Sequence, residues 1–183
     1  MQTRATPATA TPLERFNTAP AEEAARTLLA CLNSHAWAHR LVAHRPYPDL
    51  TALLAAADEA AYDLSPDDLT EALAAEALPA LPEDTYAAAH TALSAAAAAY
   101  ESRFGHAFVI CLDDLKANEA LDHVLAGIRS RLANDPEEER LVASEELRRL
   151  AHGRVCRHLG ARGTARPATH SPHPANHPEP PLL

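Results

Sequence analysis

The stretch that decides the fold class is TALSAAAAAYESRFGHAFVICL, residues 91–112. Its first half is dominated by alanine, the residue with the highest helix propensity, and the run of small side chains at 94–99 suits close contact between helices. Gly105 is expected to end this helix, and residues 108–112 form an apolar run that we expect to be extended or loop-like and buried. The predicted inward stripe follows steps of three and four residues and comprises Tyr86, His90, Leu93, Ala97, Tyr100 and Phe104.

The composition of the whole chain favours the same class. The sequence has 183 residues, of which 47% are hydrophobic but only 4% aromatic. Alanine supplies much of the apolar count, and alanine forms helices well but fills a core poorly. We therefore predict an all-α protein, a single compact multi-helix domain.

Charge and cysteine content exclude several classes of protein. The net charge is -9 and the pI is about 5.6, so the chain lacks the basic surface of a nucleic-acid binder or of a helix that lies on a membrane. No stretch of about 18 apolar residues predicts a membrane span. Three widely spaced cysteines do not form a disulfide framework and indicate reduced thiols, so we expect a cytoplasmic protein with no nucleic-acid or membrane partner.

Both ends of the chain differ in composition from the middle. Residues 1–12 and 161–183 are rich in proline and lack helical periodicity, which predicts disordered segments on either side of a helical domain at 13–160. The histidines of the second segment could bind a divalent metal weakly, but a flexible solvated tail explains them better, and we predict no metal site. Inside the domain, helix starts are predicted at Pro20, before Trp37, at Leu50, Ser65, Pro82, near Asp114 and at Asn134.

Several phrases, taken in order, resemble one enzyme family. The chain is similar to the 2-oxo-4-hydroxy-4-carboxy-5-ureidoimidazoline (OHCU) decarboxylases of uric acid breakdown over nearly the whole predicted domain. The matching words are Phe16-Asn17, Arg45-Pro46-Tyr47, residues 53–58, 69–75, Tyr100-Glu101-Ser102-Arg103-Phe104-Gly105, Phe108-Val109-Ile110-Cys111, residues 129–137 and 145–150, and Arg154.

This resemblance implies an all-helical, cofactor-free enzyme and a possible homodimer. Its small-molecule substrate would be the ureidoimidazoline carboxylate, which loses CO₂ to give S-allantoin. Loss of CO₂ leaves an enolate-like charge that a cation and amide donors can stabilise, and a placed acid must then deliver a proton. The family carries a histidine in His-Pro-Arg-Ile-Gly, a glutamate in Ser-x-x-Glu-Gln and a substrate-holding arginine on the last helix.

The chain departs from the family where the histidine and glutamate should be. Glu76-Ala77 replaces His-Pro, and residues 78–81 contain no Ser-x-x-Glu-Gln. We therefore predict decarboxylation by resemblance and keep as the alternative an inactive family member that binds or interacts. Glu76 becomes a candidate catalytic acid if it is desolvated, although a solvated carboxylate at a helix end would explain it equally simply.

Arg154 matches the substrate-holding arginine and lies on one stripe with Ala143, Leu147 and Leu150. A guanidinium in that position needs an anion, which could be the substrate. Two structural alternatives remain open at this point. One is an internal salt bridge, perhaps to Glu76, and the other is an arginine that extends its head to solvent at the edge of the stripe.

Three further predictions concern the rest of the site. The resemblance implies that the backbone amides of Val109, Ile110 and Cys111 bind substrate. His90, on the predicted inward stripe, could replace the lost imidazole or could be an ordinary core histidine. We interpret His106 as a packing residue. Cys111 is not expected to be a nucleophile, because no base is evident beside it.

Overall fold

The structure, a computed structural model, describes residues 10–79 and 87–160. Within these ranges it contains eight α-helices and no strand, which confirms the predicted all-α class. No helix in the described ranges is long and apolar enough to cross a bilayer. The helices are α1 Pro12–Thr18, α2 Ala21–Leu29, α3 His35–Ala43, α4 Leu50–Tyr62, α5 Pro66–Ala74, α6 Ala87–Phe104, α7 Ala120–Arg131 and α8 Pro136–Leu159.

The helix ends follow the local chemistry that the sequence indicates. The Ser65 hydroxyl accepts a hydrogen bond from the backbone N–H of Asp68 at 3.2 Å, and Pro66 is the first residue of α5. The Asp135 carboxylate accepts from two backbone N–H groups of the first turn of α8, at 2.9 and 2.8 Å. Gly105 has φ +79°, the left-handed conformation that ends a helix at little cost to glycine.

Two helix starts differ from the prediction. Residues 1–12 were assigned to a disordered segment, but Thr11 and Glu14 form a reciprocal capping box and Pro12 begins α1. Residues 1–9 and 161–183 lie outside the described residues, so the predicted tails remain predictions. The helix expected near Asp114 begins only at Ala120, because short turns, such as the bond from Leu115 N–H to the Leu112 carbonyl, precede it.

The domain has two adjoining hydrophobic clusters. The larger one is formed by α1–α5 and α8, where α4 packs along α8 and α3 packs against both α2 and α4. The smaller cluster joins α6 and α7. The extended segment after Gly105 runs between them, since Val109 is buried in the larger cluster while Phe108 and Ile110 are buried in the smaller one.

The inward stripe of α6 is shorter than predicted. Leu93, Ala97 and Tyr100 are buried, but His90 is exposed and Tyr86 lies outside the described residues. The expected inward position of His90 is therefore wrong. The helical spacing is intact, but the smaller cluster begins only at Leu93, so the first turns of α6 extend beyond the core.

Candidate functional site

Glu76 and Arg154, two residues that the sequence analysis selected separately, meet in the fold. The Arg154 guanidinium donates to both carboxylate oxygens of Glu76, at 2.6 and 2.8 Å. It also donates to the backbone carbonyl of Cys31 at 3.0 Å. The internal salt bridge considered from the sequence is thus present. The alternative of a solvated glutamate is wrong, because only 8% of the Glu76 side chain is exposed.

Each partner is positioned by a different element. Glu76 follows directly after the C-cap of α5, and its backbone N–H bonds to the Leu73 carbonyl at 3.2 Å. Arg154 lies two turns beyond Leu147 on α8, on a stripe whose earlier members are in the larger core. The pair therefore ties the end of α5 to the last helix, at the edge of the core rather than inside it.

The pair affects the pKa of Arg154. The hydrogen bond to Glu76 raises this pKa, against the opposing effect of desolvation. Both oxygens of the Glu76 carboxylate accept hydrogen bonds from the same guanidinium. Glu76 is consequently an acceptor in this arrangement, and it cannot donate a proton while the pair is intact.

Arg154 retains hydrogen-bonding capacity beyond this pair. A guanidinium carries five N–H donors, and the bonds to Glu76 and Cys31 use three of them. No described residue accepts a hydrogen bond from the Nε–H group of Arg154. The second N–H of Nη2, the nitrogen that donates to Oε2 of Glu76, has no described acceptor either. These two donors form one edge of the fork, which is the geometry that holds a carboxylate through two parallel bonds.

An open cleft of about 690 Å³ surrounds the pair, a size typical of small-molecule sites. Glu76 also lines a second, neighbouring cleft. The first is lined by Leu29, Ala30, Asn33, residues 75–79 and Arg154. The second is lined by Leu73, Ala74, Glu76, Glu101, Gly105, His106 and Ala107.

His106 lines this second cleft. From the sequence it is interpreted only as a packing residue. Its ring is half-buried and makes an edge contact with the Tyr100 ring, with 5.5 Å between centroids. Its Nδ1 lies 2.9 Å from the carbonyl oxygen of Ala107. The cleft cannot be inferred from the sequence, because its lining residues come from the end of α5, from α6 and from the turn after α6.

The structure does not bring residues 109–111 to the lining of the Arg154 cleft. The Cys111 N–H, one of the amides predicted to bind substrate, donates to the Glu146 carboxylate at 2.6 Å. The Val109 carbonyl accepts from Arg131 at 2.7 Å. Val109 and Ile110 are buried between the two clusters, and Cys111 lines a separate cleft with Arg148, Arg149, His152 and others.

A buried polar network, also missed from the sequence, supports the wall of the second cleft. Glu139 is fully buried and accepts from the Tyr100 hydroxyl, from Arg131 at 2.5 Å and from Asn134 at 2.9 Å. The Arg131 guanidinium also lies 4.5 Å from the centre of the Phe108 ring. Burial is the main reason that the pKa of Tyr100 is raised. Three of its members, Tyr100, Arg131 and Asn134, occur in two of the recognised phrases, whereas the central Glu139 lies outside them.

Neither cysteine chemistry nor a metal centre is evident in the described part of the chain. The Cys31 thiol is fully buried, and burial raises its pKa to about 11, which disfavours the reactive thiolate. No group of three metal-binding side chains occurs within the described ranges. The histidines at 170, 173 and 177 lie outside those ranges.

Comparison with known proteins agrees with this fold. The profile of the family named OHCU decarboxylase matches residues 17–84 and 79–156, well over half of the chain. The two matched segments overlap at residues 79–84. No curated protein sequence matches significantly.

Two solved structures resemble the chain at low sequence identity. One, described as the crystal structure of (S)-allantoin synthase, has a TM-score of 0.62 and 21% identity, over 82% of this chain and 54% of that one. The present chain thus spans about half of that protein's length. The other, a crystal structure of OHCU decarboxylase in the presence of (S)-allantoin, has a TM-score of 0.62 and 20% identity, over 76% of this chain and 97% of that one. The structures establish a shared fold, and the profile match establishes that the chain belongs to the OHCU decarboxylase family.

Proposed function

We propose that the chain catalyses cofactor-free decarboxylation of 2-oxo-4-hydroxy-4-carboxy-5-ureidoimidazoline to (S)-allantoin. Family membership supports the carboxy-lyase class. The observation that carries the proposal is the position of Arg154, which lies in an open cleft beside Glu76, the residue at the family's histidine position. Two independent family positions thus coincide at one cleft.

In this proposal Arg154 binds the substrate through its unoccupied edge. The two remaining N–H groups would donate to the carboxylate or to a ureido oxygen, while Glu76 holds the other edge and so fixes the plane of the guanidinium. As CO₂ leaves, the electron pair of the broken C–C bond moves onto the ring, where a fixed cation nearby stabilises the developing charge. Glu76 acts here by positioning Arg154, and the proton must come from another group.

The test is a coupled assay in which urate oxidation and ring hydrolysis generate the unstable substrate in place. Circular dichroism then follows the formation of optically active allantoin. The wild-type protein should exceed the spontaneous rate. Arg154→Lys, which keeps the charge but loses the fork, should lower kcat/KM by about 10²-fold, a loss of roughly 3 kcal/mol in transition-state binding.

Arg40→Lys is the matched control for that variant. Arg40 also forms an ion pair at 2.6 Å, with Asp63, but both side chains are about half exposed and neither lines the clefts. Its activity should equal that of the wild type. A wild-type rate no faster than the spontaneous reaction would reject decarboxylation.

A second candidate, a non-catalytic member that binds a ligand or partner, is favoured by one observation. Glu76 already neutralises Arg154, and residues 76–81 contain neither the histidine nor the glutamate of the two family motifs. Removal of a general acid commonly costs 10²–10⁴-fold in rate, as an order of magnitude. Calorimetric binding of (S)-allantoin without any acceleration of its formation would favour this candidate over the enzyme.

We also propose, from the resemblance and the reduced cysteines, that the protein is cytoplasmic and forms a homodimer. Sedimentation equilibrium of the full chain would test the second point directly. A single monomeric species at micromolar concentration would contradict it.

A further inference from the structure

We propose that His106 is the proton donor that replaces the family's missing imidazole. This inference rests on the proposed decarboxylation and assigns its final proton transfer to a residue outside the family's motif. The carrying observation is that His106 lines the cleft that shares Glu76 with the Arg154 cleft.

The imidazole is held in a defined place by the turn after α6. Gly105, with φ +79°, turns the chain so that the His106 ring lies against the Tyr100 ring at 5.5 Å and an angle of 77°. Tyr100 is itself immobilised, because its hydroxyl bonds to Glu139 in the buried network. A proton donor needs this kind of rigid support if it is to reach one face of a substrate.

The two clefts together offer a binding site with two distinct ends. Arg154 lies at one end, Glu76 lines both clefts, and His106 lies in the second cleft. In this proposal, a substrate whose anionic group binds Arg154 extends past Glu76 toward the imidazole. This arrangement separates the group that holds the anion from the group that supplies the proton.

The hydrogen bond to Ala107 assigns the two ring nitrogens. A carbonyl oxygen only accepts, so Nδ1 at 2.9 Å must carry a hydrogen. Nε2 is then the atom that gains and loses the catalytic proton, and no described residue bonds to it. In the step, the C–C bond to the carboxylate breaks, CO₂ leaves, and the electron pair moves into the ring. The ureido-bearing ring carbon takes the proton from Nε2 of the imidazolium. The hydroxyl group becomes the ring carbonyl of allantoin as its proton passes through solvent to a ring nitrogen. Water then returns a proton to the neutral imidazole.

The other candidate donors in the described residues are less suitable. Glu76 is engaged as an ionised acceptor, His90 is exposed outside the smaller cluster, and Cys31 is fully buried. Among the described residues that line the two clefts, His106 is the sole imidazole.

Several charged groups line the cavities that His106 also lines. Glu76, from the end of α5, and Glu101, from α6, line the same cleft. On the other side, Arg140 of α8 shares a neighbouring cavity with the histidine. Two carboxylates and one guanidinium therefore share these cavities with the ring, and the pH dependence must be measured with these groups intact.

The experiment compares His106→Gln and His106→Asn with the control His44→Gln, in the coupled urate assay over pH 5 to 8. His44 is exposed on the C-cap of α3, and its Nδ1 also contacts a backbone carbonyl, at 2.7 Å. If His106 donates the proton, its variants should lose about 10²–10⁴-fold in kcat with little change in KM. The fall in wild-type kcat with rising pH should disappear, and the allantoin formed should lose optical purity, because water then protonates both faces.

The outcomes separate this inference from the proposed function. A wild-type protein without activity removes both. Active, folded His106 variants with an unchanged pH profile and unchanged optical purity overturn the role of His106 and leave the decarboxylase intact. A loss of kcat that follows only from a lower melting temperature, with pH profile and optical purity preserved in the remaining folded protein, also overturns it. Because Asn and Gln place their amides near Nδ1 and Nε2 respectively, at least one variant should retain the packing of the ring.

Discussion

The contact between Glu76 and Arg154 can be tested without any assumption about catalysis. A double-mutant cycle uses Arg154→Met, Glu76→Gln and the combination of both. Arg154→Met removes the guanidinium but keeps much of the apolar stem, and Glu76→Gln removes the charge but keeps the shape. The cycle isolates the energy of the pair from the packing of each side chain.

The expected magnitude follows from the burial of the two groups. Exposed ion pairs contribute about 0.2–1 kcal/mol, whereas breaking a buried pair costs about 3–5 kcal/mol. Glu76 is 8% exposed and Arg154 is 26% exposed, so the pair lies between these limits. We expect Arg154→Met to cost about 3 kcal/mol, because it leaves a nearly buried carboxylate without its cation. Glu76→Gln should cost about 2 kcal/mol, since the guanidinium can reach water and the amide oxygen can still accept one bond.

The double variant should lose less stability than the two single variants lose in sum, and the difference, the coupling energy, should be about 2 kcal/mol. The assay is urea unfolding of all four proteins, monitored by circular dichroism of the helices. A loss of 3 kcal/mol lowers the urea midpoint by on the order of 1–2 M for a domain of this size. The slopes of the transitions should agree, so that the differences report the native contact.

The control is the same cycle on the pair of Arg40 and Asp63. Their N–O distance is also 2.6 Å, but the side chains are 45% and 52% exposed. Its coupling energy should be about 0.5 kcal/mol. If Arg154 and Glu76 couple no more strongly than this surface pair, the two-bond contact does not persist in solution, and the positioning role of Glu76 fails with it.

Three other predictions follow from the buried and closely packed groups. Glu139→Gln should destabilise the domain by about 3–5 kcal/mol in urea unfolding, because Arg131 is 7% exposed and loses its carboxylate; a loss below about 1 kcal/mol would contradict the network. The pKa of the Cys31 thiol is raised from 9.0 to about 11 by burial, so its stabilising effect is complete below about pH 9 and is lost as the pH rises toward 11. Between pH 9 and 11, the free energy of unfolding should therefore fall by about 2–3 kcal/mol less in Cys31→Ala than in the wild type. Equal losses of stability with pH in the two proteins would refute this. Gly153→Ala places a Cβ 1.9 Å from the Asp113 carboxylate, which must then rotate away from its exposed ion pair with Arg157. The loss is offset because alanine has a helix propensity about 1 kcal/mol more favourable than that of glycine. Thermal unfolding should show a net change within about 1 kcal/mol, whereas a loss of 3 kcal/mol would mean that Asp113 cannot move.

Most helix boundaries were predictable because their causes are local. A serine or aspartate cap followed by proline at the first helical position determines where α5 and α8 begin, within four residues of sequence. The start of α1 carried the same kind of signal at Thr11 and Glu14, but it was overlooked beside a proline-rich segment. The late start of α7 was not predictable, because the turns around Leu115 depend on the packing of that segment.

The recognised family phrases turn out to pair with one another in space. Asn17, from the first phrase, exchanges two hydrogen bonds with the backbone of Tyr47, at 2.8 and 2.9 Å. Arg103 donates to the backbone of Asn134 at 2.8 Å, and Arg148 donates to Asp58, also at 2.8 Å. These matched segments therefore contact one another and hold the scaffold together. They identify the fold more directly than they identify a reaction.

The site was only partly accessible from the sequence, for a physical reason. Periodicity assigns a residue to a helix face, and together with the family resemblance it singles out Arg154. It does not reveal where a core ends, so His90 was placed inward although the smaller cluster stops at Leu93. It also cannot show that α5 and the turn after α6 share a cleft, which is why His106 was assigned to packing.

The glutamate at position 76 changes how an anion would be recognised at this site. In the proposed alignment Glu76 takes the family's histidine position, and its carboxylate neutralises Arg154, so the pair has little net charge with which to attract an anion. Recognition must then depend on the direction of the two remaining guanidinium donors, which are useful only because Glu76 and Cys31 fix the plane of the group. Directional hydrogen bonds select the shape of the bound group more strictly than a point charge does. The pair thus presents two guanidinium donors in a fixed plane, and the proton that the proposed reaction needs must come from beyond the pair.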